Sequence, residues 1–138
     1  MNGIFKCKDK RCKICKLYLQ ECNFFYTANN VKWEIKNRIS CNSRNVIYYL
    51  ICCFCNTVSY VGKTDDLRAR TNNHITGCRN GKVTDKFDLH VHTCAKIRNR
   101  DFNEPYFRLY VFMKMNDYNK LRNYERIFHQ RHFDTLNR

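Results

Sequence analysis

Three observations predict a small α/β domain, a three-stranded antiparallel sheet flanked by helices, behind a cysteine-rich N-terminal extension. Two runs of β-branched and aromatic residues lie close together at 45–51 and 57–62, the pattern of a β-hairpin. In residues 106–115 every second position from Phe107 to Met115 is apolar, the period of a strand with one buried face. Helix-capping residues open the segments that follow these runs. At 138 residues the chain can build one modest core and is too short for two full-sized domains.

Each element follows from local chemistry. Residues 1–42 are basic, cysteine-rich and weakly periodic, so regular structure is expected only after Cys41, and the chain divides into an extension (1–42) and a domain (43–138). A hairpin turn centred on Phe54 makes Tyr48 and Tyr60 direct cross-strand partners on one face, with Cβ atoms roughly 5 Å apart. A bulge in that turn would shift the register by one and spoil the pairing. Thr64, Asp65 and Asp66 then supply N-cap chemistry for a helix running to about Cys78, with Gly77 and Gly81 bracketing its end. A second helix is expected over 84–98. In the strand after Pro105, strict alternation puts Phe107, Leu109, Val111, Met113 and Met115 on one side. Asp117 caps a last helix to about Phe133, whose inward stripe is Leu121, Tyr124, Ile127 and Phe128.

Lys and Arg number 26 against 12 Asp and Glu, a net charge of +14, which is the footprint of a partner rich in phosphates. The 9 Tyr and 10 Phe can stack on bases, although most belong in a core. Ten cysteines in a secreted chain would form a disulfide framework. Against that, residues 1–16 hold no apolar signal-peptide core, and the longest apolar run, 46–54, is too short to span a bilayer. A reducing intracellular setting is expected, nuclear or wherever a DNA target resides, and there clustered cysteines hold metal.

Cys7, Cys12 and Cys15 have C-x4-C-x2-C spacing, and Cys41 or Cys22 can complete a tetrahedron. The preferred grouping is Cys7, Cys12, Cys15 and Cys41 on one structural Zn²⁺. Cys52 and Cys55, a C-x2-C pair inside the hairpin turn, form a second metal pair, close on Cys12 and Cys15, or remain reduced thiols in the turn. The intervening strand spans about 20 Å, which keeps Cys41 away from the turn. Cys53, Cys78 and Cys94 read as small buried residues, and His90 and His92 as either substrate contacts or surface residues.

The segment Tyr60-Val61-Gly62-Lys63-Thr64, followed by Leu67, Arg70 and His74, resembles the second half of the GIY-YIG nuclease signature. Val46-Ile47-Tyr48 resembles the first half, with valine at the first glycine. The resemblance covers roughly residues 45–138, and Glu125 and Asn137 fall where that family carries a metal-binding glutamate and a late asparagine. Cysteines before and inside such a hairpin are similar to those in the endonuclease module of Penelope-like retroelements, which implies a mobile-element origin. The abundance of Asn, Lys, Ile and Tyr suggests an AT-rich genome such as that of a virus or mobile element.

This resemblance implies a metal-dependent endonuclease that hydrolyses DNA phosphodiester bonds with one Mg²⁺ or Mn²⁺ on Glu125. Tyr48, assisted by His74 or Tyr60, would take a proton from water. Arg70, four residues before His74 on one helical face, would clamp the scissile phosphate. Lys63 would meet the DNA backbone, and Arg68, pointing away from Arg70, would meet solvent or the DNA backbone. Read without the family, Glu125 is a surface glutamate pairing with Arg122 or Arg126. The alternatives are a catalytically inactive zinc module binding DNA or RNA on the same scaffold, towards which Val46 leans, and a disulfide-rich secreted protein.

Overall fold

The computed structural model describes residues 1–98 and 102–131, with side chains up to residue 128 in the last helix. The extension has regular structure. Four short strands, β1 (Gly3–Ile4), β2 (Phe24–Tyr26), β3 (Lys32–Glu34) and β4 (Arg38–Ile39), form two pairs, β1 parallel to β4 and β2 antiparallel to β3. A π-helical turn, Ile14–Tyr18, lies between β1 and β2. Strands of two or three residues are too short to show a period of two, so they leave no signal in the sequence.

The hairpin consists of β5 (Val46–Cys52) and β6 (Ser59–Thr64). Helices α1 (Leu67–Asn80) and α2 (Lys86–Ile97) follow, then strand β7 (Phe107–Lys114). A 3-10 turn, Tyr118–Lys120, leads into α3 (Leu121–Arg131). Strand order β6-β5-β7 is antiparallel throughout, as expected from the sequence. Every residue of β5 is buried, because it is the central strand with both faces covered.

The capping read for the two ends of α1 is present, Asp117 caps the 3-10 turn ahead of α3, and Asp85 is a cap that the sequence reading did not name. The Asp66 carboxylate accepts from the Ala69 amide at the start of α1, and Gly81, at φ 71°, closes its end. Left-handed backbone at that point favours glycine. Asp85 caps α2 through the Asp88 amide, and Asp117 accepts from the Asn119 amide before α3.

Besides the regular structure found before Cys41, three further expectations are corrected. The hairpin turn is centred one position later than Phe54, so Tyr48 pairs with Gly62 and Tyr60 with Leu50. The register therefore moves by two residues, and because side chains alternate with period two both phenols stay on one face. In β7, strict alternation stops at Phe112. Val111 pairs with Tyr48 and Met113 with Ile47, so Phe112 is an extra, bulged residue and Met113 turns to the other face. On α3, Leu121 and Phe128 are buried, whereas Tyr124 and Ile127 are about two-fifths exposed at 40% and 39%. Half-buried Glu125 takes the place between the two buried residues.

Helices α1 and α2 cover one face of the sheet, where Phe87 meets Phe107 and Tyr60. On the other face Phe128 of α3 stacks on Phe112, with ring centroids 4.4 Å apart, and Trp33 of the extension meets both rings. Phe25 of β2 stacks on Tyr110 at 4.5 Å. Leu19 bridges to Leu109 along the open side of β7, so the extension protects a strand edge that would otherwise invite aggregation. Among the described residues, no helix is long and apolar enough to cross a membrane.

Candidate active site

Tyr48, Tyr60, Arg70 and His74 converge on the face covered by α1 and α2. Helix periodicity brings Arg70 and His74 to one side of α1, and the sheet alternation presents Tyr48 and Tyr60 to them. The two phenol rings lie 5.9 Å apart. Gly62, opposite Tyr48, makes this approach possible. A Cβ there would sit 2.4 Å from the Tyr48 ring and hydroxyl and 2.6 Å from the Tyr60 ring.

The Tyr48 hydroxyl is held from two sides. Arg70 Nε donates to it at 3.1 Å, and His74 Nε2 lies 2.9 Å away. Arg70 Nη2 donates to the Tyr60 hydroxyl at 3.3 Å. Tyr48 and His74 are buried, while Arg70 retains 30% side-chain exposure. Arg70 and half-buried Tyr60 therefore form the outward side of the site. Burial, and then the neighbouring Tyr60, push the Tyr48 phenol well above its usual range, with Arg70 pulling it back. For Arg70 burial disfavours the cation, but the Tyr48 and Tyr60 oxygens outweigh it and raise its pKa further.

Two aspartates that the sequence reading missed complete this group. His74 Nδ1 lies 2.8 Å from Asp88 Oδ1 and 3.8 Å from Asp85 Oδ2. Asp85 Oδ2 is also 3.7 Å from Arg70 Nη2. Burial raises the Asp88 carboxyl above its ordinary value, while the His74 hydrogen bond acts against the rise. Asp88 carried no distinguishing signal, because a carboxylate in the first turn of a helix is ordinary N-terminal chemistry.

The other site residues are distributed differently. Glu125 is half-buried on α3, the helix that leans on β6 and β5 from the other face. Lys63 is on that face too, its ammonium 5.4 Å from the Tyr118 ring centroid. Asn137 lies outside the described residues. Arg68, expected at solvent or DNA, instead donates to Cys41 Sγ at 2.7 Å and Cys12 Sγ at 3.4 Å. It points away from Arg70 as the helix geometry required, but what it meets is the cysteine cluster.

Cys7, Cys12, Cys15 and Cys41 form one cluster, with all sulfurs within 4.8 Å of one another. Sulfurs on one tetrahedral zinc lie roughly 3.8 Å apart, so the set fits that ion with little adjustment. Burial opposes ionisation of Cys12, yet the Cys15 backbone and the Arg68 guanidinium bring its thiol down to about 6. Cys15 and Cys41 are pushed up, chiefly by burial.

The second cluster is Cys52, Cys55, His90 and Cys94, again within 4.8 Å. It corrects two readings. Cys52 and Cys55 close on α2 and not on Cys12 and Cys15, and Cys94 belongs to a donor set. Cys55 Sγ is 3.5 Å from His90 Nε2. Burial opposes ionisation of Cys55, but hydrogen bonds from Thr57 hold its thiol at about 6. Burial drives Cys52 up to about 12. His92 is a packing residue whose Nδ1 lies 3.0 Å from the Cys78 carbonyl oxygen and whose ring abuts Phe102.

Residues 45–134 match the family model described as the GIY-YIG catalytic domain. The chain belongs to the GIY-YIG family. No curated protein and no solved structure matches it. The matched stretch contains the hairpin, α1, α2, β7 and α3, so the converging side chains all belong to the GIY-YIG domain. That domain carries a nuclease-type function, and its substrate is nucleic acid.

Proposed function

We propose that this GIY-YIG protein is a metal-dependent endonuclease that hydrolyses DNA phosphodiester bonds. The observation that carries the reading is the Tyr48 hydroxyl held between His74 Nε2 and Arg70 Nε. Hydrolysis needs an activated water and compensation of charge on the phosphoryl oxygens. A buried phenol is a poor base by itself. With a proton acceptor on one side and a guanidinium on the other, Tyr48 can pass its own proton on as it takes one from water.

Arg70, outward-facing and cationic, is suited to a phosphate oxygen. Tyr60 orients it. Glu125 is assigned the metal on the family resemblance, its carboxylate being the hard oxygen that Mg²⁺ or Mn²⁺ takes. Because α3 packs on the face opposite Tyr48, the ion and Arg70 would approach one phosphate from either side of the edge strand β6. When bound, that ion would stabilise charge on the substrate phosphate. Asn137 is proposed to assist at the same site. The two cysteine-containing clusters are proposed as structural Zn²⁺ sites, each with four soft or imidazole donors and no open position. The cysteine arrangement supports an origin in a Penelope-like mobile element.

The test is nicking of supercoiled plasmid by the zinc-loaded protein with Mg²⁺ or Mn²⁺. Tyr48→Phe, Arg70→Ala and Glu125→Ala are each expected to abolish nicking while leaving the thermal melt cooperative. Salt-sensitive DNA binding without cleavage by the wild type would instead favour a binding module on the same scaffold. Full activity of Glu125→Ala would remove the metal role from that residue.

A further inference from the structure

We propose that Asp88 is a positioning residue that fixes the tautomer of His74, so that Tyr48, His74 and Asp88 form a proton relay. The proposal rests on the nuclease reading above and adds a member and a direction to it. His74 is fully buried and both ring nitrogens are engaged, Nδ1 by Asp88 Oδ1 at 2.8 Å and Nε2 by the Tyr48 hydroxyl at 2.9 Å. A carboxylate accepts hydrogen bonds and does not donate them. The neutral ring must therefore carry its proton on Nδ1, leaving the Nε2 lone pair aimed at Tyr48. The Tyr48 hydroxyl donates to Nε2 and accepts from Arg70 Nε.

The surrounding packing is built to admit this carboxylate. A Cβ on Gly77 would sit 2.1 Å from Asp88 Oδ2, so Gly77, inside α1 and not at its end, is where the helices open to let Asp88 reach His74. Cys78 Sγ lies 3.7 Å from Asp88 Oδ1. The charged and titratable groups around His74 are Tyr48 of β5, Tyr60 of β6, Arg70 and Cys78 of α1, and Asp85 and Asp88 of α2. Asp88 is nearest to Nδ1 and only 2% exposed.

In the reaction, the attacking water gives a proton to the Tyr48 oxygen while the Tyr48 proton passes to Nε2. The water oxygen bonds to phosphorus, the bond from phosphorus to the leaving ester oxygen breaks, and that oxygen takes a proton from bulk water. The imidazolium, stabilised by Asp88, returns its proton to Tyr48, which releases the extra one to solvent. This division of labour parallels the buried aspartate of a serine-protease triad, which holds its histidine without being protonated itself.

Asp88→Asn in the metal-loaded protein is expected to lower kcat for plasmid nicking about a thousandfold or more, with Kd for the same DNA changed less than about threefold. Nitrogen-15 NMR of histidine-labelled protein is expected to find His74 as the Nδ1–H tautomer in the wild type and to lose that assignment in the variant. Nicking by Asp88→Asn at the wild-type kcat overturns the relay. So does an Nε2–H tautomer in the wild type, a result that needs no variant to fold. A wild type that cuts no DNA refutes the nuclease reading instead, and the tautomer still decides whether Asp88 orients His74.

Discussion

At Gly62, side-chain size alone decides whether the two phenols can share a face. A methyl group there would overlap the Tyr48 hydroxyl and ring, and both lie in well-packed surroundings that cannot yield. Gly62→Ala is expected to cost about 2–3 kcal/mol by urea unfolding and to abolish nicking; wild-type stability would mean that Tyr48 can move aside. Buried phenols also make stability pH-dependent. Burial, then Glu104, push Tyr18 above its ordinary value near 10. As pH rises through 10 the unfolded chain loses its proton first, so this stabilisation is complete below pH 10 and declines above it. The slope is at most about 1.4 kcal/mol per pH unit for each phenol. Urea unfolding between pH 9 and 11 is expected to show a shallower decline for Tyr18→Phe than for the wild type, and parallel slopes would show that Tyr18 does not contribute. At this scale the tyrosines, Arg70 and His74 were readable because parity along a strand and the i, i+4 relation on a helix survive a register error of two. Asp88 was not, because its meaning depends on how closely α2 approaches Gly77, a tertiary distance that no local pattern encodes.

The two cysteine-containing clusters act on elements, and each is attached to a helix that carries part of the site. Arg68 ties the first to α1, which bears Arg70 and His74. The second joins the hairpin turn to α2, which bears Asp85 and Asp88, through His90 and Cys94. The helix pair that aligns the relay is thus pinned at two places. Elemental analysis is expected to find two zinc ions per chain, with Cys41→Ser and Cys94→Ser each reducing the count to one. Exhaustive chelation should lower the melting temperature by roughly 10 °C or more, since a structural zinc contributes several kcal/mol to folding. Two zinc ions retained in Cys94→Ser would exclude that residue as a ligand. Cysteine spacing carried half of this arrangement. C-x4-C-x2-C and C-x2-C stand out because those intervals suit turns around an ion, whereas His90 and Cys94, four apart on an amphipathic helix, look like any other pair on one face. The β7 bulge was hidden for a related reason. Phe112 and Met113 are both apolar, so hydrophobic pattern alone cannot tell which of them is the extra residue.

For the whole molecule, charge is the property that brings substrate to the site. The +14 net charge has a visible concentration in the extension, where exposed Lys6, Lys8, Lys10 and Lys16 line a groove of about 410 Å³ beside Cys7, Cys12 and Cys15. Arg68 ties that cluster to α1 two residues before Arg70 but points away from it, so the lysine groove and the Arg70 guanidinium are served by different sides of one helix. DNA held by these lysines would be contacted at phosphates away from the bond being cut. Such contacts strengthen binding through counterion release and contribute nothing to the chemical step. Replacing Lys8 and Lys10 with alanine is therefore expected to make the slope of log K against log salt shallower by about 2, measured by fluorescence anisotropy with duplex DNA from 50 to 200 mM salt. The single-turnover rate at saturating protein should stay within about twofold of wild type, because neither lysine touches the reacting atoms. Arg70→Ala should show the reverse, a collapsed rate with a slope changed by about 1 or less. An unchanged slope in the double lysine variant would move the DNA off the extension, and an equal loss of rate and affinity would mean that the extension shapes the catalytic helices as well as holding the substrate.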